Sequence, residues 1–389
     1  MSETSILRRR MPELDMLRGA AIWFVVAYHA TYYTFRDEGF HGLQKFLMNS
    51  TRLAWMSPNF FFVLSGFLIT GILLEAKNKS VFYKTFYVRR ALRILPACYV
   101  LLLILAFQRG QNPWYLVLSF FYMANMAPLL GIHITYSMLW SLAAEEHFYF
   151  VWPFFVRKLT KRWLVAATLI IIALVPVIRA ISFKPETRTE VHSYTWIVAD
   201  CFAFGALLAL FVRKEGFSRR QLVWGSAGAL SLGAAILAAG APYGILSRQT
   251  LVGSTFELTA ANMVFAGVIG ATLLLATSGW SFLVRIPVLE FYGDISYGFY
   301  LVHWLVFLWY DALAKSYFPG YAATSGHFWL IMMRFAVASA VATLLATISR
   351  HYIEEPFMRL KDRFTAAKRP VVSGVLPSMT AIRAEDWTR

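Results

Sequence analysis

Runs of apolar residues long enough to cross a bilayer recur near 14–35, 54–75, 92–107, 137–156, 163–181, 194–212, 222–240, 255–278, 289–314 and 328–349. Each reads as an α-helix, because hydrocarbon offers no partner to backbone N–H and C=O groups, and about 20 residues rising 1.5 Å each cover its thickness. The polar breaks between them are too short to hold a soluble domain, and no internal repeat of the transporter kind is visible. The pattern therefore predicts an all-α polytopic transmembrane helical bundle of about ten spans. One further apolar run, 113–131, resists this scheme. A full crossing there would carry Arg157, Lys158, Lys161 and Arg162 to the outer side, so this segment is expected to be re-entrant or interfacial.

Composition agrees with a membrane protein and excludes most soluble classes. Hydrophobic residues make up 58% of the 389 and charged residues only 15%, and the mean hydropathy is +0.55. The formal charge of +16 raises the possibility of nucleic-acid binding, but no basic stripe interleaved with exposed aromatics supports it. The cations serve better as a topology signal. With the N-terminus inside, most of the 37 Lys and Arg fall in inner segments, which predicts both termini in the cytoplasm of a bacterial cell with the protein in its inner membrane. The N-terminus lacks a signal-peptide pattern, so the first span is expected to stay. Cys98 and Cys201 show neither disulfide nor metal-ligand spacing and read as packing residues, and no metal site is expected. Residues 1–364 are expected to form the membrane domain and the polar stretch 365–389 a flexible cytoplasmic tail.

The polar residues inside the spans carry the chemistry. Arg18 and His29 lie eleven positions apart in the first span, close to three helical turns, so both project from one face about 16 Å apart. Ionisable groups are costly at such depth and mark a functional site by default. If the spans alternate, His29, the Glu145/Glu146 pair and His303 fall at similar depth in the outer half of three helices. That convergence offers a base near neutral pKa with a carboxylate to orient it.

Six motifs follow in order. Glu13-Leu14-Asp15-Met16-Leu17-Arg18-Gly19 with His29, Phe60-Phe61-Phe62-Val63-Leu64-Ser65-Gly66-Phe67, and Arg89-Arg90-Ala91-Leu92-Arg93-Ile94-Leu95-Pro96 form the first half. Trp140-Ser141-Leu142-Ala143-Ala144-Glu145-Glu146-His147-Phe148-Tyr149, Ile295-Ser296-Tyr297-Gly298-Phe299-Tyr300-Leu301-Val302-His303 and Ile353-Glu354-Glu355-Pro356-Phe357 form the second. Together, from about residue 10 to 360, they resemble the membrane acyltransferase 3 family. Met16 replaces a residue that is usually small in that family, and His147 one that is commonly Gln. Longer members carry an SGNH-type periplasmic domain after the last helices; this chain is expected to be the stand-alone form.

The resemblance implies transfer of an acetyl or short acyl group from acetyl-CoA, or another acyl-CoA, to a hydroxyl of a glycan or glycolipid precursor, with no permanently bound cofactor. A glycosylated secondary metabolite or other small molecule is the alternative acceptor. Such a reaction needs a base for the attacking hydroxyl and a group to stabilise the developing oxyanion. His29 is the expected base, and Glu145 or Glu146 its orienting carboxylate. His303 is a second acid/base group or a hydrogen-bonding support. Arg18 suits a donor phosphate because its guanidinium forks onto phosphate oxygens. Arg89, Arg90 and Arg93 suit the nucleotide end of the donor, and serve equally as headgroup anchors. Glu354 and Glu355 are expected to latch onto that arginine cluster, and Arg334 to snorkel in preference to binding an anionic acceptor group. Rival classes are a secondary transporter, an acyltransferase built on one His and a distant Asn such as Asn125 or Asn262, and a non-catalytic membrane sensor.

Overall fold

The computed structural model describes residues 6–8, 11–35, 39–183, 193–318, 327–360 and Phe364, and every regular element among them is helical. The α-helices are α1 (Pro12–Ala30), α2 (Tyr32–Phe35), α3 (Gly42–Ser50), α4 (Ser57–Ala76), α5 (Phe82–Ala106), α6 (Pro113–Phe120), α7 (Leu139–Lys158), α8 (Lys161–Ser182), α9 (Ala199–Phe211), α10 (Arg219–Gly240), α11 (Leu251–Ala276), α12 (Pro287–Asp294), α13 (Ser296–Tyr317), α14 (Phe328–Ser349) and α15 (Glu355–Arg359). All ten expected spans fall on helices. The run 289–314 is divided at Ile295 into α12 and α13. At 13 residues, or about 20 Å, α9 is short of the hydrocarbon thickness. The expected tail, 365–389, lies outside the described residues.

Among the described residues, five helical stretches are long and apolar enough to cross a membrane; they end at Ala76, Ser182, Tyr243, Ala276 and Arg359. The ionisable residues of interest lie mainly on other helices: Arg18 and His29 on α1, Arg90 and Arg93 on α5, Glu145 on α7 and His303 on α13. Burial separates centre from rim. The apolar window ending at Ala76 is 61% buried, whereas those of α8 and α10 are 22% and 17% buried. An apolar helix this exposed is stable only against lipid.

Run 113–131 is not one helix. Pro113 starts α6, with Asn112 accepting from Trp114 N at 3.0 Å, and α6 stops after eight residues. Tyr122 then takes φ 56° and a 3₁₀ turn covers Ala124–Leu130. Neither piece is long enough to span, in keeping with the re-entrant or interfacial expectation.

Glycines allow the closest helix contacts. A Cβ on Gly19 would lie 1.8 Å from Leu289 O and one on Gly293 1.9 Å from Asp15 O, which locks α1 onto α12. A Cβ on Gly205 would lie 1.9 Å from Val63 O and one on Gly66 2.2 Å from Phe202 O, which does the same for α4 and α9. Met16 is buried beside this first contact and does not prevent it. Tyrosines then fix α13: Tyr297 OH donates to Ile94 O at 2.7 Å, Tyr136 OH to Leu301 O at 2.7 Å, and Tyr115 OH to Tyr136 O at 2.6 Å.

Buried ion pairs tie the outer helices together. Arg179 of α8, fully buried, reaches Asp200 at 2.5 Å, Thr259 Oγ1 at 2.8 Å and Ile197 O at 2.8 Å, and Thr259 also donates to Asp200 at 2.7 Å. Arg334 does not snorkel as expected. It is 1% exposed and forks onto both oxygens of Asp311 at 2.6 and 2.8 Å, because a neighbouring carboxylate satisfies it where it stands. The expected latch has a further partner: Arg93 of the cluster acts on Glu354, and Arg350 joins it. Glu354 and Glu355 pair with Arg350 at 3.5 and 3.8 Å, around the π-helical turn Arg350–Glu354. Between α4 and α5, Lys77 Nζ donates to Leu159 O; burial, with Arg157 and Lys161 nearby, holds its ammonium below the ordinary lysine pKa.

Candidate active site

Two cavities open inside the bundle. The first, about 110 Å³, is lined by Arg18, Arg90, Arg93, Ser65, Glu145, Tyr149, Ser141 and Tyr297 among others. The second, about 460 Å³, is lined by Tyr28, His29, Tyr33, Trp55, Asn59, Trp140 and Arg248 among others. They share two lining residues, Pro58 and Tyr300. Arg18 and His29, on one face of α1, thus look into different cavities on either side of this neck.

The first cavity is strongly cationic. Arg93 makes no ion pair among the described residues, while Arg18, Arg90 and Arg350 all act on it as like charges. Arg18 holds Asp15 at 2.5 Å, and Arg90 lies over the Tyr149 ring at 4.4 Å. Excess positive charge in a partly desolvated slot is an anion site in search of phosphate or carboxylate oxygens. Glu145 Oε1 accepts from both Ser65 Oγ and Tyr149 OH. These two donors hold the carboxylate against α4 and beside Arg90.

The second cavity holds a histidine pair. His303 Nδ1 lies 2.7 Å from Tyr300 O, and a carbonyl only accepts, so this nitrogen carries a proton. In a neutral ring Nε2 is then the acceptor. His29 Nδ1, 3.3 Å away, must donate to it. In a neutral His29 ring that one proton also serves the Val25 carbonyl, and Nε2 is left unprotonated on a residue that lines the cavity, while His303 is 0% exposed behind it. Rings of Tyr28, Tyr33 and Trp304 surround His29 at 5.3–5.5 Å between centroids.

Tyr300 serves both sides of the neck. Its hydroxyl lies 2.5 Å from Ser141 Oγ and 3.2 Å from Met138 O, and its carbonyl fixes the tautomer of His303. An arginine-lined slot and a chamber holding a histidine pair thus border one another at Pro58 and Tyr300.

The model of the acyltransferase domain family, acyltransferase 3, matches residues 11–351. The chain belongs to the acyltransferase 3 family. It is 28% identical over 384 residues to the putative peptidoglycan O-acetyltransferase YrhL of Bacillus subtilis, covering 90% of this chain and 55% of that protein. It is 33% identical over 181 residues to the peptidoglycan O-acetyltransferase OatA of Listeria monocytogenes, covering 41% of this chain and 26% of that protein. It is also 29% identical over 402 residues to the acyltransferase MdmB of Streptomyces mycarofaciens, covering 95% of this chain and 96% of that protein. The chain therefore spans about half or less of the two peptidoglycan enzymes' length. No solved structure matches.

In this acyltransferase 3 family member the predicted site residues are only partly assembled. His29 and His303 meet as their depth suggested. Glu145 does not join them: it lines the other cavity, and its hydrogen bonds go to Ser65 and Tyr149. Counting residues along straight, aligned helices gave the same depth for all three, whereas α7 delivers Glu145 past the neck. Glu146 lines neither cavity and leaves Oε1 buried without a partner. Arg18, Arg90 and Arg93 converge, but Arg89 is exposed and lines neither cavity, since one step along α5 turns it about 100° away. His147 is bonded to Thr195 Oγ1 at 2.7 Å. Asn125 and Asn262 hold Ser193 O and Cys201 Sγ, at 3.2 Å each, and line neither cavity. Sequence reasoning missed Ser65, Ser141, Tyr149 and Tyr300 as site residues, although all four sit inside the motifs. Arg248, in a loop, gave no signal beyond its charge.

Proposed function

We propose that the chain transfers an acetyl or other short acyl group from acyl-CoA to a hydroxyl of a glycan or glycolipid precursor across the cytoplasmic membrane of a bacterium. The observation that carries this reading is the pair of cavities meeting at Tyr300, one rich in arginine and the other holding a histidine pair. The positive-inside pattern puts the arginine cavity on the cytoplasmic side, where CoA is made. Arg18, Arg90 and Arg93 bind the donor phosphates, and the thioester arm reaches the neck.

The acceptor enters the wider cavity. His29 Nε2 takes its hydroxyl proton as the oxygen bonds to the thioester carbon. Ser141 donates to Tyr300, whose own proton swings from Met138 O to the carbonyl oxygen as it becomes an oxyanion. The C–S bond then breaks, the proton passes from His29 to the departing sulfur, and the ester and free CoA remain. His303 is a positioning residue that holds the His29 ring in its basic tautomer. Glu145 acts on the donor side, balancing the arginine cluster through Ser65 and Tyr149.

A small-molecule acceptor, such as a glycosylated secondary metabolite, is the second reading, supported by the volume of the wider cavity, about 460 Å³, which holds a ligand of that size. The test is transfer of radiolabelled acetyl from acetyl-CoA in membranes containing the intact protein or His29→Ala. Label is scored in the glycan, lipid and small-molecule fractions. Label in one fraction, lost in His29→Ala, supports the mechanism and names the acceptor class; equal label in both membranes overturns it.

A further inference from the structure

Among the described residues, the wider cavity is lined by one cation, Arg248, and by no carboxylate. Arg248, in the connection between α10 and α11, lies with its guanidinium carbon 4.0 Å from the centre of the Trp55 ring. It makes no ion pair or hydrogen bond among the described residues, although its neighbours pair readily: Arg52 donates to Leu246 O at 3.2 Å. A carboxylate that it acts on, Glu257, is 1% exposed, has both oxygens unpartnered among the described residues and feels Arg52 as well as Arg248. Two cations against one carboxylate leave a positive excess. A guanidinium with one face covered by an indole keeps its in-plane N–H fork open, and that fork matches carboxylate or phosphate oxygens two at a time.

The rest of the cavity suits a sugar. Tyr28, Tyr33, Trp140 and Tyr300 offer flat apolar walls, and Asn59 and Ser137 offer polar edges, in a volume within the usual range for small-molecule sites. We infer that Arg248, laid on Trp55, binds an anionic group, carboxylate or phosphate, carried by a sugar acceptor. The wider cavity then selects acidic saccharides over neutral ones. This rests on the acyl-transfer reading for the use of the cavity, and on the Arg248 geometry alone for the charge of its ligand.

The experiment measures binding without transfer. The full chain in phosphatidylcholine nanodiscs is probed by saturation-transfer NMR with methyl glucuronide, glucose 1-phosphate and methyl glucoside, and separately with acetyl-CoA. The expected result is that both acidic sugars bind more tightly than methyl glucoside. Arg248→Ala should weaken them about ten-fold or more, the loss of one charge-assisted pair, and leave methyl glucoside unchanged. Arg248→Lys, which keeps the charge and loses the fork, should fall between. Acetyl-CoA bound equally by intact protein and both variants shows that the fold survives. Equal binding of acidic and neutral sugars, acidic-sugar binding unaltered in Arg248→Ala, or no binding of either acidic sugar overturns the inference. So does displacement of the acidic sugars when phosphatidylglycerol is added to the discs, which would assign Arg248 to a lipid headgroup. Failure of acetyl-CoA alone to bind the intact protein counts against the transfer reading and leaves the sugar comparison to decide Arg248.

Discussion

His29 and His303 stand 274 residues apart in the chain and share a hydrogen bond of 3.3 Å. The proton that His303 directs at Tyr300 O obliges its other nitrogen to accept, and so determines which nitrogen of His29 is basic. In the proposed mechanism a histidine takes the orienting place given to aspartate in many hydrolytic sites, without adding a buried negative charge.

Removing His29 should lower transfer by about 10²–10⁴-fold, the usual contribution of a general base. His303→Leu should lower kcat less and distort the pH–rate profile, because His29 is then free to adopt either tautomer. His303→Gln, whose amide oxygen can accept from His29 Nδ1, should restore part of the rate and the original profile. Equal rates and profiles for the Leu and Gln forms would assign His303 to packing alone.

Tyr300 stands at the neck with its hydroxyl 2.5 Å from Ser141. Tyr300→Phe removes the donor and keeps the ring, so kcat should fall about 10²–10³-fold, as for loss of one oxyanion donor, with the donor KM unchanged. Ser141→Ala should fall less, since it only polarises Tyr300. Steady-state kinetics with acetyl-CoA separates the two constants; a change confined to KM would place Tyr300 in binding.

The arginines of α5 should divide cleanly. Arg93→Gln should raise the KM for acetyl-CoA about ten-fold or more, the scale of one charged hydrogen bond. Arg89→Gln, at an exposed position outside the cavity, should leave it unchanged. The Arg93 effect should shrink with a dephosphorylated CoA thioester if its contact is with the 3′-phosphate. Equal effects of the two substitutions would point to a general surface potential instead.

Glycine positions give a test of the packing. Gly205→Ala sets a methyl group 1.9 Å from Val63 O, backbone that cannot yield without parting α4 from α9. Gly228→Ala on α10 meets nothing within 4 Å. The first should abolish a monodisperse peak in size-exclusion chromatography and the second should not. A well-behaved Gly205→Ala protein would show that this helix contact is looser than described.

How much of this was written in the chain can be said residue by residue. The apolar runs determine that the protein is a bundle of membrane helices, because a bilayer forces backbone pairing within each segment. The six motifs determine the family and contain nearly all of the site: Arg18, His29, Ser65, Arg90, Arg93, Ser141, Glu145, Tyr149, Tyr300 and His303. Helical periodicity correctly sets Arg18 and His29 on one face, since that relation is local and needs only 3.6 residues per turn.

What the sequence does not contain is how the helices slide and rotate against one another. Glu145 and His29 seem matched when each helix is measured from the membrane surface, yet Ser65 and Tyr149 claim the carboxylate and His303 claims the imidazole. Arg89 and Arg90 are adjacent in a basic motif, yet one is exposed and the other lines the cavity. Arg334 reads as a cation to be kept near water and is instead buried against Asp311, as Arg179 is against Asp200. Each of these depends on contacts between distant segments, set by glycine crossings and buried pairs whose geometry no local pattern records. The sequence by itself determined the helices, the family and the residue types of the site; only the tertiary structure decided their pairing, because hydrogen bonds and ion pairs depend on ångström distances between helices that the linear pattern leaves free.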